Sequence, residues 1–175
     1  MKKSTINYLS GERRILFGYR DEKSAWVGTD YFLAAVPWEE FLKLGKIAVY
    51  ATSHYEEFKA SKGYLKDEEG KIKPVRLPIE MYYNDPGVPV RLTRWKYIHP
   101  TNDEVLRVFL GPSGENIFVG ETFYKYVVDC LESLHPIYAK DGCGIRFYDD
   151  LGTVYAYLCE VRLHSLEEKV VKIDE

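Results

Sequence analysis

Cysteine is scarce in this chain. Cys130, Cys143 and Cys159 are the only three in 175 residues, an odd number with no C-x-x-C spacing, which argues against a disulfide framework and against a structural zinc site. The four histidines, His54, His99, His135 and His164, include no H-x-x-x-H pair, so no metal is expected. No apolar run approaches the roughly 18 residues of a membrane span, and Met1-Lys2-Lys3-Ser4 leads into no signal-peptide apolar core. The expectation is a soluble, cytoplasmic protein with reduced thiols, no cofactor and no membrane partner.

Signatures of phosphate-loop and hydrolase chemistry are missing too. There is no G-x-x-x-x-G-K-[ST], no G-x-G-x-x-G and no G-x-S-x-G elbow. Gly111-Pro112-Ser113-Gly114 is too short for a phosphate loop and lies between two strand-like runs. The adjacent carboxylates Glu39/Glu40 and Glu56/Glu57 diverge on a helix, and Asp149/Asp150 belongs to a turn, so solvation explains all three pairs. These absences point away from an enzyme.

What is present is the composition of a folded domain, 46% hydrophobic and 29% charged. Tyrosine is the outlier, with 15 residues beside 8 Phe and 3 Trp; its rigid apolar body and polar tip suit both cores and contact surfaces. The net charge of −3 is uneven: from Glu115 onward there are 12 acidic and 6 basic side chains, leaving 15 acidic and 18 basic before it. Such a layout can steer a charged partner.

The stretch from Gly120 to Leu163 organises the reading. Phe123, Val127, Cys130, Leu131 and Leu134 fall on one face of a helix from about Glu121 to Leu134, with Lys125, Asp129 and Glu132 on the wetted face and Pro136 as the stop. Strands follow over Ile145 to Tyr148 and Thr153 to Leu163, joined by the turn Asp149-Asp150-Leu151-Gly152. Upstream, Arg14 to Tyr19 and Ala25 to Val36 read as an antiparallel pair, Trp38 to Leu44 as a helix opened by Pro37, and Lys46 to Ala51 as a strand. Ser53 with Glu56 forms a capping-box pattern for a helix reaching about Ser61. Tyr64 to Val75 reads as an exposed hairpin. Five of the eight prolines lie between Pro74 and Pro100, which predicts edge strand and ordered loop there. Val88, Val90 and Leu92 alternate in one phase and Trp95 and Tyr97 in the other, as a one-residue β-bulge would produce. Val105 to Leu110 and Asn116 to Val119 bracket a turn. The predicted fold class is α+β: an antiparallel or mixed sheet of about six to eight strands with two or three short helices packed on one face. It is expected as one compact domain over residues 1–175, with a short flexible tail from about residue 168.

Three candidate sites stand out. The basic–aromatic segment Arg91, Arg94, Trp95, Lys96 and Tyr97, with Tyr82 and Tyr83 upstream, combines cations for phosphate with rings for bases, although it carries no RRM, helix-turn-helix or zinc-finger pattern. Lysines and arginines of this kind also protect an edge strand from pairing. Cys143, between Gly142 and Gly144, is a weak candidate nucleophile if a histidine approaches it in space; otherwise it lies in a tight turn. The aromatic excess itself supplies interface material. In size, tyrosine content and lack of a catalytic motif, the chain resembles small accessory proteins of phages and mobile elements, anti-CRISPR inhibitors among them. That resemblance implies a non-enzymatic module that binds, and antagonises, a protein partner. The alternatives are a nucleic-acid or nucleotide binder acting through segment 91–99, and a cysteine-dependent enzyme built on Cys143.

Overall fold

The computed structural model describes residues 1–78, 87–131, 135–163 and 169–173. Helix α1 (Lys3–Gly11) comes first, followed by strands β1 (Ile15–Tyr19), β2 (Ser24–Gly28) and β3 (Phe32–Pro37). Three short helices come next, α2 (Trp38–Phe41), α3 (Lys46–Ser53) and α4 (Tyr55–Ala60). Strands β4 (Tyr64–Lys66), β5 (Ile72–Pro74), β6 (Val88–Pro89), β7 (Arg91–Ile98), β8 (Val105–Leu110) and β9 (Asn116–Gly120) precede helix α5 (Glu121–Cys130). The remainder is β10 (Ile137–Asp141), β11 (Gly144–Tyr148), β12 (Val154–Cys159) and β13 (Val171–Ile173).

The class is α+β, and every strand pairing described is antiparallel. The expected single sheet of about six to eight strands is instead two: a nine-stranded sheet in the order β5-β4-β1-β2-β3-β12-β11-β10-β6, and a four-stranded sheet in the order β13-β7-β8-β9. Nor are the helices gathered on one face, since α5 packs against β3 and β12 of the large sheet and also against β8 and β9 of the small one. The difference in strand count has local causes. The run Ala25 to Val36 is not one strand but a hairpin, folded back where the Thr29 N–H donates to the Phe32 carbonyl at 2.8 Å. Gly28 is required there, because a β-carbon would collide with the Phe32 carbonyl oxygen. The expected C-terminal tail contributes β13, which pairs with β7.

Two further elements differ from expectation. Lys46 to Ala51 lies in helix α3, where Ile47 and Ala51, four residues apart, turn inward with Ala48; a short apolar run suits a strand and a helix equally by pattern alone. The Ser53 capping box does not form. Helix α3 ends at His54, whose non-helical backbone separates it from α4. By contrast, the prolines fall as predicted: Pro74 and Pro89 lie in β5 and β6, the two edges of the large sheet.

Strands at the middle of the large sheet are buried on both faces. On one face Phe17, Phe58 and Tyr64 stack at centroid separations of 5.6 to 6.0 Å, beneath α3 and α4. On the other, Trp26, Leu33, Ala35, Leu77 and Tyr157 form a second core. A third core, of Leu106, Val108, Phe118 and Leu163, fills one face of the small sheet. Tyrosines ring these cores in half-buried positions, among them Tyr8, Tyr19, Tyr50, Tyr97, Tyr124 and Tyr155; their rings pack inward.

One charge cluster ties the small sheet to α5. The Glu121 carboxylate, only 5% exposed, accepts two hydrogen bonds from the Arg107 guanidinium at 2.7 and 2.8 Å. Lys96 of β7 and Lys125 of α5 lie 3.7 and 3.5 Å from the same carboxylate. Removing one side of a buried ion pair strands the other side's charge and costs about 3–5 kcal/mol. Glu121→Gln should therefore lower the free energy of unfolding by about 3 kcal/mol in urea titrations; a loss under about 1 kcal/mol, the range of an exposed pair, would show that this cluster does not hold α5 to the sheet.

Candidate functional site

Helix α5 turns Phe123, Val127, Cys130 and Leu131 toward the core, as its spacing predicts; Glu132 and Leu134, expected on its last turn, lie outside the described residues. Asp129, expected on the wetted face, is buried to 6% exposure. The reason is α1, an element without a strong sequence signature, whose first residues lie against that face of α5. The Lys2 backbone N–H donates to Asp129 Oδ2 at 2.7 Å, so the carboxylate serves the start of α1. Its other oxygen, Oδ1, is buried and has no hydrogen-bond partner among the described residues.

Asp129 lines a cleft of about 700 Å³ between the start of α1, the outer face of α5 and the entry to β10. Tyr124, Tyr126 and Tyr138 contribute aromatic rings to it. Tyr126 stacks on Tyr8 with centroids 4.2 Å apart, and Tyr124 and Tyr138 both pack edge-on to Phe109. Burial raises the pKa of both phenols and pushes Tyr8 up to about 12, so all three keep their protons at neutral pH. Lys2, Lys125 and His135 are exposed lining residues and set a basic rim. A smaller cavity of about 300 Å³ lies across Leu131, where the Arg20 guanidinium sits 4.3 Å from the Tyr155 ring centre.

The basic–aromatic segment does not converge on one surface. Arg91, Arg94 and Trp95 of β7 are exposed, with the Lys172 ammonium 4.8 Å from the Trp95 ring. Lys96 turns to Glu121, while Tyr97, on the opposite face, packs edge-on to Phe118 at 5.5 Å. The expected one-residue bulge is larger: Thr93, Arg94 and Trp95 stand opposite Val108 alone, and the Thr93 hydroxyl closes the gap by donating to the Val108 carbonyl at 2.9 Å. Tyr82 and Tyr83 lie outside the described residues.

Cys143 occupies the turn between β10 and β11. Its N–H and that of Gly144 donate to Asp141 Oδ1 at 3.2 Å, and Asp141 pairs with the buried Arg146 at 3.2 Å. The thiol lies 3.0 Å from the Tyr157 hydroxyl. Burial first, then the bond to Cys143, raises the pKa of that phenol, so at neutral pH it holds its own proton and cannot take one from sulfur. His54 and His99 make their hydrogen bonds to Tyr50 and Thr101, and His135 borders the cleft; His164 lies outside the described residues. Among the described residues, no group of three His, Cys, Asp or Glu is placed to hold a metal ion, and no helix is long and apolar enough to cross a membrane.

No protein-family model matches this chain, and no curated protein or solved structure is significantly similar to it. The cleft and the exposed part of β7 thus rest on their own geometry.

Sequence reasoning missed Asp129 as a site residue. The signal available was slight: an aspartate in the last turn of a helix whose negative end disfavours it, and an apolar Leu9 four residues after Thr5 in α1.

Burial separates the three thiols. Cys130 is pushed up from 9.0 to about 12 and Cys159 to about 11, so iodoacetamide at pH 8 should label the buried Cys130 last of the three; Cys130 reacting as fast as the other two would contradict the described burial. Between about pH 9 and about 12 the unfolded chain ionises at Cys130 while the folded chain holds its proton. Stability should therefore fall as pH rises through that window, and Cys130→Ala should flatten the fall.

Proposed function

We propose that the protein works as a binding module and that its ligand is a small molecule seated in the cleft between α1, α5 and β10. The carrying observation is the cleft itself, to which Tyr124, Tyr126 and Tyr138 contribute rings while Lys2, Lys125 and His135 are exposed along it. The cleft volume of about 700 Å³ lies within the roughly 300–1,000 Å³ range of small-molecule sites, and aromatic walls with a few polar groups are the composition such sites use. Val128, 40% exposed on the cleft wall, offers a way to close it without disturbing the core. In NMR titrations with a fragment library, hits should shift amides of residues 122–131 and 135–138, and Val128→Trp should abolish those shifts. Hits scattered over the surface, or unchanged by Val128→Trp, would reject the cleft.

A macromolecular partner is favoured by a different observation, the exposure of Arg91, Arg94 and Trp95 on β7 beside Lys172. Trp and Arg are the side chains that anchor protein interfaces, and the same set can grip a single nucleic-acid strand. If a strand is the partner, oligonucleotide binding should weaken as salt rises and fall further in Arg91→Ala/Arg94→Ala; binding indifferent to salt and to both substitutions would exclude it.

A further inference from the structure

We infer that the exposed margin of the small sheet binds a single-stranded nucleic acid, with one base stacked on Trp95 and the flanking phosphates held by Arg91, Arg94 and Lys172. The inference rests on the reading of β7 as a macromolecular contact surface and commits that surface to one class of partner.

The strands of the small sheet carry Arg91, Arg94, Lys96, Arg107 and Lys172 and not one carboxylate. Two of these cations serve the fold, since Arg107 and Lys96 both turn to Glu121 on the α5 side. The other three are exposed, and none of them makes an ion pair with a described carboxylate. Strand register puts two of the three on one face with Trp95. Lys172 stands opposite Tyr97 and Arg91 opposite Leu110, and residues directly opposite in a ladder share a face. Leu110 alternates with Leu106 and Val108, which face the third core, and Tyr97 packs on Phe118 of that same core. Trp95 alternates with Tyr97, and the Lys172 ammonium lies 4.8 Å from its ring centre. Arg94 sits in the bulge between Arg91 and Trp95. At about 3.3 Å per residue, Arg91 and Trp95 are no more than about 13 Å apart.

Cations without carboxylate partners attract a polyanion, and arginine and lysine are the groups that hold phosphates. A protein interface has less use for such a strip, because its core is depleted in lysine. Trp95, 39% exposed, offers an indole to a planar group, and every base has a π-face to lay on it. A base can do so only when it is free of the paired stack, so a single strand fits this strip and a duplex does not. Lys172 is exposed, and its ammonium rides on a flexible four-carbon stem. A base entering over the indole moves that ammonium onto the adjacent phosphate.

Anisotropy titration of the full chain against labelled oligothymidylate and oligouridylate tests this, at about 12 nucleotides, a length within the usual range of single-strand sites. Trp95 is the most exposed of the three tryptophans, so intrinsic emission should be quenched on binding and Trp95→Phe should remove the quench. Trp95→Leu should weaken binding about tenfold or more, and Trp95→Phe, which keeps a ring, less. Arg91→Gln, Arg94→Gln and Lys172→Gln should each lower the slope of log Kd against log salt by about 0.7. Binding of either strand with these signatures supports the inference, and the tighter of the two tells DNA from RNA. A duplex bound as well as a single strand, or an affinity indifferent to Trp95→Leu, overturns the stacked base. Suppose neither strand binds, while a protein identified from cell lysate is retained by the wild-type chain and lost by Arg91→Ala/Arg94→Ala. Nucleic acid is then the wrong class and β7 stands as a contact surface. If nothing engages β7, both fall.

Discussion

The buried Glu121 carboxylate is the constraint on which the arrangement of the cleft depends. It lies at the first position of α5, where a negative charge suits the positive end of the helix. Its two bonds from Arg107 fix that end to β8, and Lys96 brings β7 to the same point. With its first turn held, α5 presents Val127, Cys130 and Leu131 to the large core and Asp129 to α1. A helix pivoting about a loose first turn would carry Asp129 away from the Lys2 N–H and dissolve the cleft. The guanidinium of Arg107 also lies 5.2 Å from the centre of the Tyr124 ring, so the same cluster that positions the helix orients one wall of the site.

The charge bookkeeping in this part of the molecule is unusual. Three cations, Arg107, Lys96 and Lys125, converge on Glu121, while Asp129 on the same helix takes a backbone N–H from Lys2. Buried charges are tolerated when each finds a partner. Asp141 and Arg146, both nearly without exposure, obey that rule across β10 and β11. Asp129 obeys it on one oxygen only.

The Cys143 turn is held by several partners at once. Asp141 Oδ1 accepts the Cys143 and Gly144 N–H groups, Arg146 lies 3.2 Å from Asp141 Oδ2, the thiol meets the Tyr157 hydroxyl, and Tyr157 closes over Gly144 where a side chain would collide with its ring. The space beside Gly144 is filled by the Tyr157 ring. Local sequence around Cys143 reads first as a tight turn, and cross-strand packing from β12 brings Tyr157 onto that turn.

Much of the secondary structure is local physics and was legible as such. The face of α5, the β8–β9 and β11–β12 hairpins, the β4–β5 hairpin and the edge position of the prolines all follow from periodicity, turn chemistry and the missing proline donor. Short segments were not legible in this way. Helix α3 reads equally well as a strand, α1 has a weak pattern, and β10 and β13 exist because partner strands supply their hydrogen bonds. The division of the strands into two sheets, and of the tyrosines among their cores, required distant parts of the chain to meet. So did the candidate site. The basic–aromatic pattern of Arg91 to Tyr97 is a property of neighbours in sequence, and a strand sends those neighbours to opposite faces. Asp129, Lys2 and Tyr138 are strangers in sequence. Tertiary structure alone joins them, because the burial of a carboxylate depends on which helix is laid across it.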